Sequence, residues 1–320
     1  MTANKHVYRN IFIVALMAII LASTYMTIGS RGNWSYILSL RGKKLAALTI
    51  VSICSTTATI LFHTIAQNRI LTPNIIGMDA IYIFFQTISL FLFGHSHRLL
   101  QNTYTNFFLS TVSMTCFSLL LYWFFFKKFP GRIYLLLMTG LILGTFFRSA
   151  TSFLQVLIDP NEFLILQNRL FASFNNVDRS LISISMVIVL PVLIYIFHKN
   201  KAMDVLHLGR INAIGLGIDV DRLTLKLFIS ISLLVSVSTA LVGPVMFLGF
   251  LGTNVSYKLF KTYQHWLLII GGCLFTISFV LFGQILIEHV FKFQTTLSII
   301  LEFIGGSYFL FILLKEKEVA

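Results

Sequence analysis

The sequence is poor in charged residues and in cysteine. Only 11% of its 320 residues are charged, and three are cysteines. Cys54, Cys116 and Cys273 lie singly in apolar stretches, without the short Cys or His spacing of a metal site. Soluble domains carry about 25% charged residues, whereas this chain is 57% hydrophobic with a mean hydropathy of +0.87. These shortages exclude an ordinary soluble domain and favour an integral membrane protein without a metal site.

The chain also lacks the motifs of a nucleotide-binding protein. It has no G-x-x-x-x-G-K-[ST] phosphate loop, and the GLG at residues 215–217 neither follows a predicted strand nor opens a dinucleotide fold. We therefore expect no directly bound cofactor, and any ATP would have to be bound by a partner. The histidines are scattered, and the closest pair, His95 and His97, is more typical of a solvated loop than of a metal site.

Long apolar stretches dominate what remains. Crossing about 30 Å of hydrocarbon takes about 20 apolar residues in a helix, because lipid offers no partner for free backbone groups. The predicted fold class is an all-α integral membrane protein of about ten transmembrane helices, in one domain covering residues 1–320. The predicted spans are 11–28, 45–66, 75–93, 106–126, 133–157, 181–197, 223–242, 245–259, 266–287 and 297–314.

Lysine and arginine in the loops orient the chain. An inner N-terminus places fifteen of them on the cytoplasmic side and eight outside, so the positive-inside rule predicts that both termini are cytoplasmic. Dispersal over the loops explains most of the formal net charge of +13 without a nucleic-acid partner. The outer cations are an excess that needs its own reason: Arg31, Arg41, Lys43, Lys44, Arg98, Arg169, Arg179 and Lys292.

Two connections are long enough to fold by themselves. Residues 159–179, on the outer side, have the apolar spacing of a short helix lying at the membrane interface. Residues 199–222, on the inner side, are too polar to span and predict two small helices broken at Gly215 and Gly217.

Four segments resemble one transporter family. NRILTPNIIGMD, residues 68–79, is similar to the N-P-L-A-x-P-x-x-L-G stretch of FecCD-type permeases, which belong to importers for iron-siderophores, haem and vitamin B12. LHLGRINAIGLG from Leu206, GPVMFLGFLGTN from Gly243 and RGKK from Arg41 resemble further family motifs, in the family's order and over residues 40–315. NRILTP with Asp79, and GQILIEHVFKFQTTLS from Gly283, look closest to the second permease of importers for catecholate-type siderophores.

The resemblance implies an importer subunit of the bacterial inner membrane. Two permeases, here expected to be different, would enclose a pathway, each seated on an ATPase, while an extracytoplasmic binding protein delivers the substrate. The residues implied to couple to the ATPase are Leu206, Leu208, Gly209, Arg210, Ala213, Leu216 and Gly217. Those implied for the inner gate are Asn68, Ile70, Ile133 and Tyr134, and those implied for docking of the binding protein are Arg41 and Lys44.

Each assignment has a plainer alternative. Residues 206–217 could lie against lipid headgroups, the gate residues could be ordinary helix-end packing, and Arg41 and Lys44 could be solvated loop charges. Arg148, costly at mid-span, could face the pathway or pair with Glu302. The Ser and Thr residues of the second span could line the pathway or bond to neighbouring helices.

Two rival functions stay open. An ion-driven secondary transporter usually carries paired intramembrane acids or broken helices, and Glu302 is the main acid within a predicted span. A lipid-modifying membrane enzyme would need His, Asp or Glu clustered at one depth, and the sequence shows no such cluster. Import of haem or cobalamin instead of a siderophore also stays open.

Overall fold

The described part of the protein is helical. The computed structural model describes residues 2–28, 34–94, 102–128, 133–170, 173–174, 177–292 and 294–317. Its thirteen α-helices, numbered in chain order, are α1 Thr2–Thr27, α2 Trp34–Ala66, α3 Met78–Phe93, α4 Thr103–Lys128, α5 Ile133–Leu157, α6 Pro160–Leu170, α7 Arg179–His198, α8 Asn200–Leu206, α9 Arg210–Gly215, α10 Val220–Val242, α11 Leu248–Phe260, α12 His265–His289 and α13 Leu297–Lys317.

All ten predicted apolar spans fall on helices, which confirms an all-α membrane architecture. Seven of these helices are long and apolar enough to cross a membrane, while α3 and the apolar part of α13 are shorter. Helix α11 has only 13 residues, about 20 Å at ~1.5 Å per residue. Ten complete crossings and the side on which the termini lie therefore stay predictions.

Helices α2 and α10 form the centre of the bundle. In each, 72% of the apolar window is buried, against 17% in α1 and 28% in α5 and α7. Helix α10 packs against α2 and α4, while α12 packs against α1 and α2. The outer helices consequently leave apolar faces that lipid or another protein subunit has to cover.

The hydroxyl groups of α2 join helices together. Thr56 and Thr276 of α12 share a 2.7 Å hydrogen bond, while Thr49 and Thr59 donate to the backbone carbonyls four residues before them. Ser52, Thr56 and Thr57 are fully buried in the chain. Of the two interpretations left open by the sequence, these positions favour helix packing over lining of a pathway.

The predicted short helices are present, with one boundary corrected. Helix α6 lies within the outer connection, and α8 and α9 lie within the inner one. The break between α8 and α9 falls at Gly209, whose φ of +99° is accessible to glycine, and not at Gly215 and Gly217. Gly215 is the last residue of α9, and Gly217 follows that helix with a φ of +82°.

Candidate functional site: the inner end of the bundle

A chain of hydrogen bonds joins the helices at one end of the bundle, which we call the inner end because the loop charges predict it to be cytoplasmic. At the start of α12, the backbone N–H of His265 donates to Asp204 Oδ1 over 2.8 Å, and its Nδ1 lies 2.6 Å from the same oxygen. On the opposite edge of the ring, Nε2 lies 2.7 Å from the hydroxyl of Thr64 in α2. Because Thr64 and His265 are buried, this chain of hydrogen bonds fixes the positions of α2, α8 and α12 relative to one another.

A second link ties the same helices together. The side chain of Gln67, just after α2, donates from Nε2 to the carbonyls of Thr64 (2.8 Å) and Leu206 (3.0 Å). We call Thr64, Gln67, Asp204, Leu206 and His265 the inner junction. Through it, the end of α8 is fixed to both α2 and α12.

The turn after α8 adds a neutral histidine. Burial, the neighbouring His265 ring and Arg69 lower the pKa of His207, and they outweigh the opposite effect of Asp204. The two imidazole rings meet edge to face, with centroids 5.9 Å apart. An uncharged His207 therefore packs beside His265 without adding a positive charge to the inner junction.

The predicted coupling residues divide into anchors and an exposed surface. Leu206 and Ala213 are buried in the bundle, and Arg210 forms an ion pair with Asp221 of α10, in which its Nη2 donates to both carboxylate oxygens at 2.9 and 3.1 Å. Leu208 and Leu216 are exposed. Gly209 and Gly217 take positive φ at the ends of α9.

Two isoleucines extend the exposed surface. Ile211 is 86% exposed and Ile214 is 53% exposed. Together with Leu208 and Leu216 they form an apolar patch on α9 and its flanks, which we call the α9 patch. An apolar patch fixed rigidly to the end of a bundle is typical of a docking surface.

The NRILTPNIIGMD segment folds as a tight connection at this same end. Asn68 Oδ1 accepts from the Ile70 N–H over 2.8 Å, and the Arg69 guanidinium lies 4.5 Å from the centre of the Tyr257 ring of α11. Asn254 of α11 donates to the Arg69 carbonyl over 3.3 Å. Segments 68–79 and 206–217 are thus neighbours at the inner end, and segment 243–254 reaches it through its last residue, Asn254.

The same connection packs tightly against α5. Residues Pro73–Ile76 form one 3-10 turn, and Gly77 follows with a φ of +90°. A Cβ on Gly140 would lie 2.7 Å from Ile76 Cα, and one on Gly77 would lie 3.0 Å from Gly144 Cα. Gly140 and Gly144 have the small-xxx-small spacing that lets backbones approach within membranes.

We expect Gly140→Ala to destabilise the protein by about 1–3 kcal/mol, because the added methyl meets backbone atoms that must move. Thermal unfolding of the purified chain in detergent would measure the effect as a drop in Tm. Gly215→Ala is the matched control, since no atom lies within 4 Å of a Cβ built there. Equal melting temperatures for the two variants would contradict the tight contact.

The residues predicted to form the inner gate lie at the inner end, but the residues that the structure describes do not show them closing a pathway. Asn68 and Ile70 are half-buried in the connection before α3. Tyr134, in the first turn of α5, is 64% exposed in the single chain. The Ile133 side chain lies outside the part that the structure describes, so the gate stays a prediction.

At the opposite end, the two predicted docking cations are engaged within the chain. Lys44 Nζ lies 3.5 Å from Glu288 Oε1, and Arg41 Nη2 lies 4.0 Å from Glu288 Oε2. Arg41 also donates to the carbonyls of Tyr25 and Ile28 at 2.7 and 2.6 Å. The three charged side chains are 7–20% exposed, so they join α1, α2 and α12, and docking stays a prediction.

We expect Glu288→Gln to lower stability by about 2 kcal/mol, because it leaves two largely buried cations without their carboxylate. The readout is the Tm of the purified chain. Asp159→Asn serves as control, since Asp159 is exposed and its Oδ1 remains available to the Asn161 N–H. Unchanged melting of the Glu288 variant would show that the cluster contributes nothing to stability.

The exposed face of α5 contains a charge. Arg148 is exposed there, and Glu302 is exposed on α13. The two do not pair, and neither has an ion-pair partner among the residues that the structure describes. Asp79, at the first turn of α3, is buried, and neither of its carboxylate oxygens has a hydrogen-bond partner among the described residues. Of the two alternatives that the sequence left open for Arg148, the pair with Glu302 is therefore not formed.

Some sequence predictions fall elsewhere. His95, His97, Arg98, Arg31 and Arg132 lie outside the described residues. Among the residues that are described, no group of three or more His, Cys, Asp or Glu side chains could hold a metal ion.

Comparison with known proteins agrees with the motifs. A model of the FecCD transport family matches residues 8–315. The petrobactin import system permease protein YclO of Bacillus subtilis is 45% identical over 287 residues, covering 90% of this chain and 91% of the relative. The petrobactin import system permease protein FatC of Bacillus anthracis is 34% identical over 277 residues, covering 86% and 78%.

The fold is also found among solved structures. A chain from an inward-facing metal-chelate type ABC transporter superimposes with a TM-score of 0.83, covering 97% of this chain and 99% of its own length. Its 20% sequence identity supports the fold. The protein therefore belongs to the FecCD transport family, and it is a multi-pass membrane permease of the ABC-importer class.

Proposed function

We propose that this permease imports an iron-siderophore complex across the inner membrane of a bacterium, by alternating access driven by a partner ATPase. The observation that carries the proposal is the α9 patch, which is apolar, exposed and fixed to the bundle by the inner junction. A chain without a phosphate loop needs such a surface to receive the energy of ATP hydrolysis from a partner. Petrobactin, named in two relatives, is the first substrate to test.

The ATPase would seat on the α9 patch. Ile211, Ile214 and Leu216 offer apolar contacts, and the Arg210–Asp221 pair holds the start of α9 against α10. Movement of the seated ATPase would pass into α2 and α12 through Asp204 and His265. This arrangement is favoured over an interfacial helix, because α8 and α9 are fixed to the bundle by hydrogen bonds and an ion pair. A helix held only by lipid headgroups would not need these contacts.

A second permease would complete the pathway beside α5. Arg148 on the exposed face of that helix would cost about 2.5–3.5 kcal/mol against hydrocarbon, so protein or water is the favoured neighbour. Tyr134 lies at the inner end of the same helix, where it would narrow the pathway. The resemblance favours a different second permease, and an extracytoplasmic binding protein would deliver the chelate to the outer end.

The experiment is to tag the chain, purify it gently from iron-starved cells and identify co-purifying proteins by mass spectrometry. The isolated complex is then reconstituted in vesicles, and uptake of radiolabelled ferric petrobactin is measured with ATP, with and without an ionophore. ATP-dependent uptake that resists the ionophore supports the proposal. Ionophore-sensitive uptake without ATP would establish the secondary transporter, and preferential uptake of haem or cobalamin would overturn the siderophore assignment.

A further inference from the structure

The cations at the outer end fall into two groups, which differ in whether they have an acidic partner. Arg41 and Lys44 share Glu288 as an ion-pair partner, which balances one of their two charges. Lys43 and Arg179 are different, because neither side chain forms an ion pair or hydrogen bond with the residues that the structure describes. Two unpaired cations of the same sign require a separate explanation.

Both unpaired cations line one cavity. It has a volume of about 470 Å³ and lies between α2 and α7. Its polar lining combines Lys43 and Arg179 with the hydroxyl-bearing Ser39 and Ser183. The remaining lining residues are Leu38, Gly42, Ala46 and Ile182. The cavity therefore presents positive charge and hydroxyl groups beside an apolar wall.

The position of the cavity matches the outer headgroup layer. Residue 66 of α2 and residue 198 of α7 lie toward the inner junction and α8, so Lys43 and Arg179 lie toward the opposite end of each helix. Trp34, exposed at the first turn of α2, is of the type that concentrates at membrane–water interfaces. Ala46 and Ile182, which also line the cavity, lie one turn further from the outer end than Lys43 and Arg179, so they would meet the upper part of the acyl chains.

We propose that this cavity binds the phosphate headgroup of an anionic phospholipid, with Lys43 and Arg179 contacting the phosphate. Cations paired with serine hydroxyl groups suit a phosphate diester, since arginine recognises its oxygens in a bidentate manner. The apolar wall formed by Ala46 and Ile182, which lies deeper in the bundle than the two cations, favours a lipid over free phosphate or an acidic protein side chain. The bound lipid would hold α7, most of which is uncovered, against the central helix α2. This inference does not depend on the transported substrate.

The test compares melting in nanodiscs of pure phosphatidylcholine with melting in discs containing phosphatidylglycerol. The wild-type chain and the control Lys292→Gln, which removes another outer cation, should each gain about 4 °C from phosphatidylglycerol. The double variant Lys43→Gln/Arg179→Gln should gain less than a quarter of that shift. Native mass spectrometry of the wild-type chain should independently show one retained phosphatidylglycerol.

Three outcomes would overturn the proposal. An equal gain in the double variant would assign the effect to the bilayer as a whole. The same gain from inorganic phosphate in phosphatidylcholine discs would replace the lipid by a free anion. A tenfold loss of binding-protein affinity by the double variant in discs without phosphatidylglycerol would assign the two cations to protein docking.

Discussion

Replacement of Ile211 by aspartate should abolish uptake by removing the ATPase from the complex. Ile211 of the α9 patch is 86% exposed, so the variant loses few contacts within its own chain. A carboxylate buried against an apolar groove costs at least about 2 kcal/mol, or roughly thirtyfold in affinity. We expect the membrane level of the permease to be unchanged and the ATPase recovered in a pull-down to fall to less than a tenth.

The matched control is Lys201→Glu. Lys201 is exposed on the neighbouring helix α8, so this variant also adds negative charge at the inner end but leaves the α9 patch intact. It should retain the ATPase. Loss of the ATPase in both variants would show a general response to charge, and retention in both would move the docking surface away from α9.

A second substitution separates docking on the ATPase from contact with lipid. Tryptophan is favoured at membrane interfaces, so Ile211→Trp should be tolerated if α9 lies against headgroups. In a protein groove shaped for isoleucine, the larger ring should be excluded and uptake should fall. Normal uptake by the tryptophan variant, with the aspartate variant inactive, would therefore favour the interfacial helix.

The helices could be predicted because the bilayer limits the alternatives. Lipid leaves no partner for free backbone groups, so each long apolar stretch is expected to be a helix, and each of the ten predicted stretches is helical over most of its length. The lengths were less predictable. The span predicted at 245–259 begins as a helix only at Leu248, since residues 243–247 form a non-helical entry in which Gly243 has a φ of +100°.

The contacts of the candidate site could not be predicted in the same way. Asp204 and His265 are 61 positions apart, and no local spacing links a single acid on a short helix to a histidine at the start of a span. Glu288 lies within the GQILIEHVFKFQTTLS segment, and nothing in that segment indicates its pairing with Arg41 and Lys44, which lie more than 240 positions earlier. By contrast, Gly140 and Gly144 have a recognisable spacing that could have indicated the close contact with Gly77 in advance.

The geometry of the inner junction predicts that one substitution leaves the ATPase bound but uncouples ATP hydrolysis from uptake. In His265→Phe the ring volume is kept while both side-chain hydrogen bonds are lost, those to Asp204 and Thr64. Hydrogen bonds involving a charged group contribute about 1.5–3 kcal/mol, so α8 should move more freely against α2 and α12. We expect uptake per ATP hydrolysed to fall about tenfold, because about 1.4 kcal/mol corresponds to a factor of ten.

Two controls make this result specific to the geometry of the junction. His289→Phe alters the same residue type at the other end of α12, where Nδ1 contacts only the carbonyl of Ile285, and it should leave coupling unchanged. Asp204→Asn keeps Oδ1, the atom that accepts both bonds from His265, and should retain most of the uptake. A fully coupled His265→Phe complex would refute transmission through the junction. Loss of the ATPase from that complex would instead make His265 part of the support for docking, because the α9 patch would no longer be held in place.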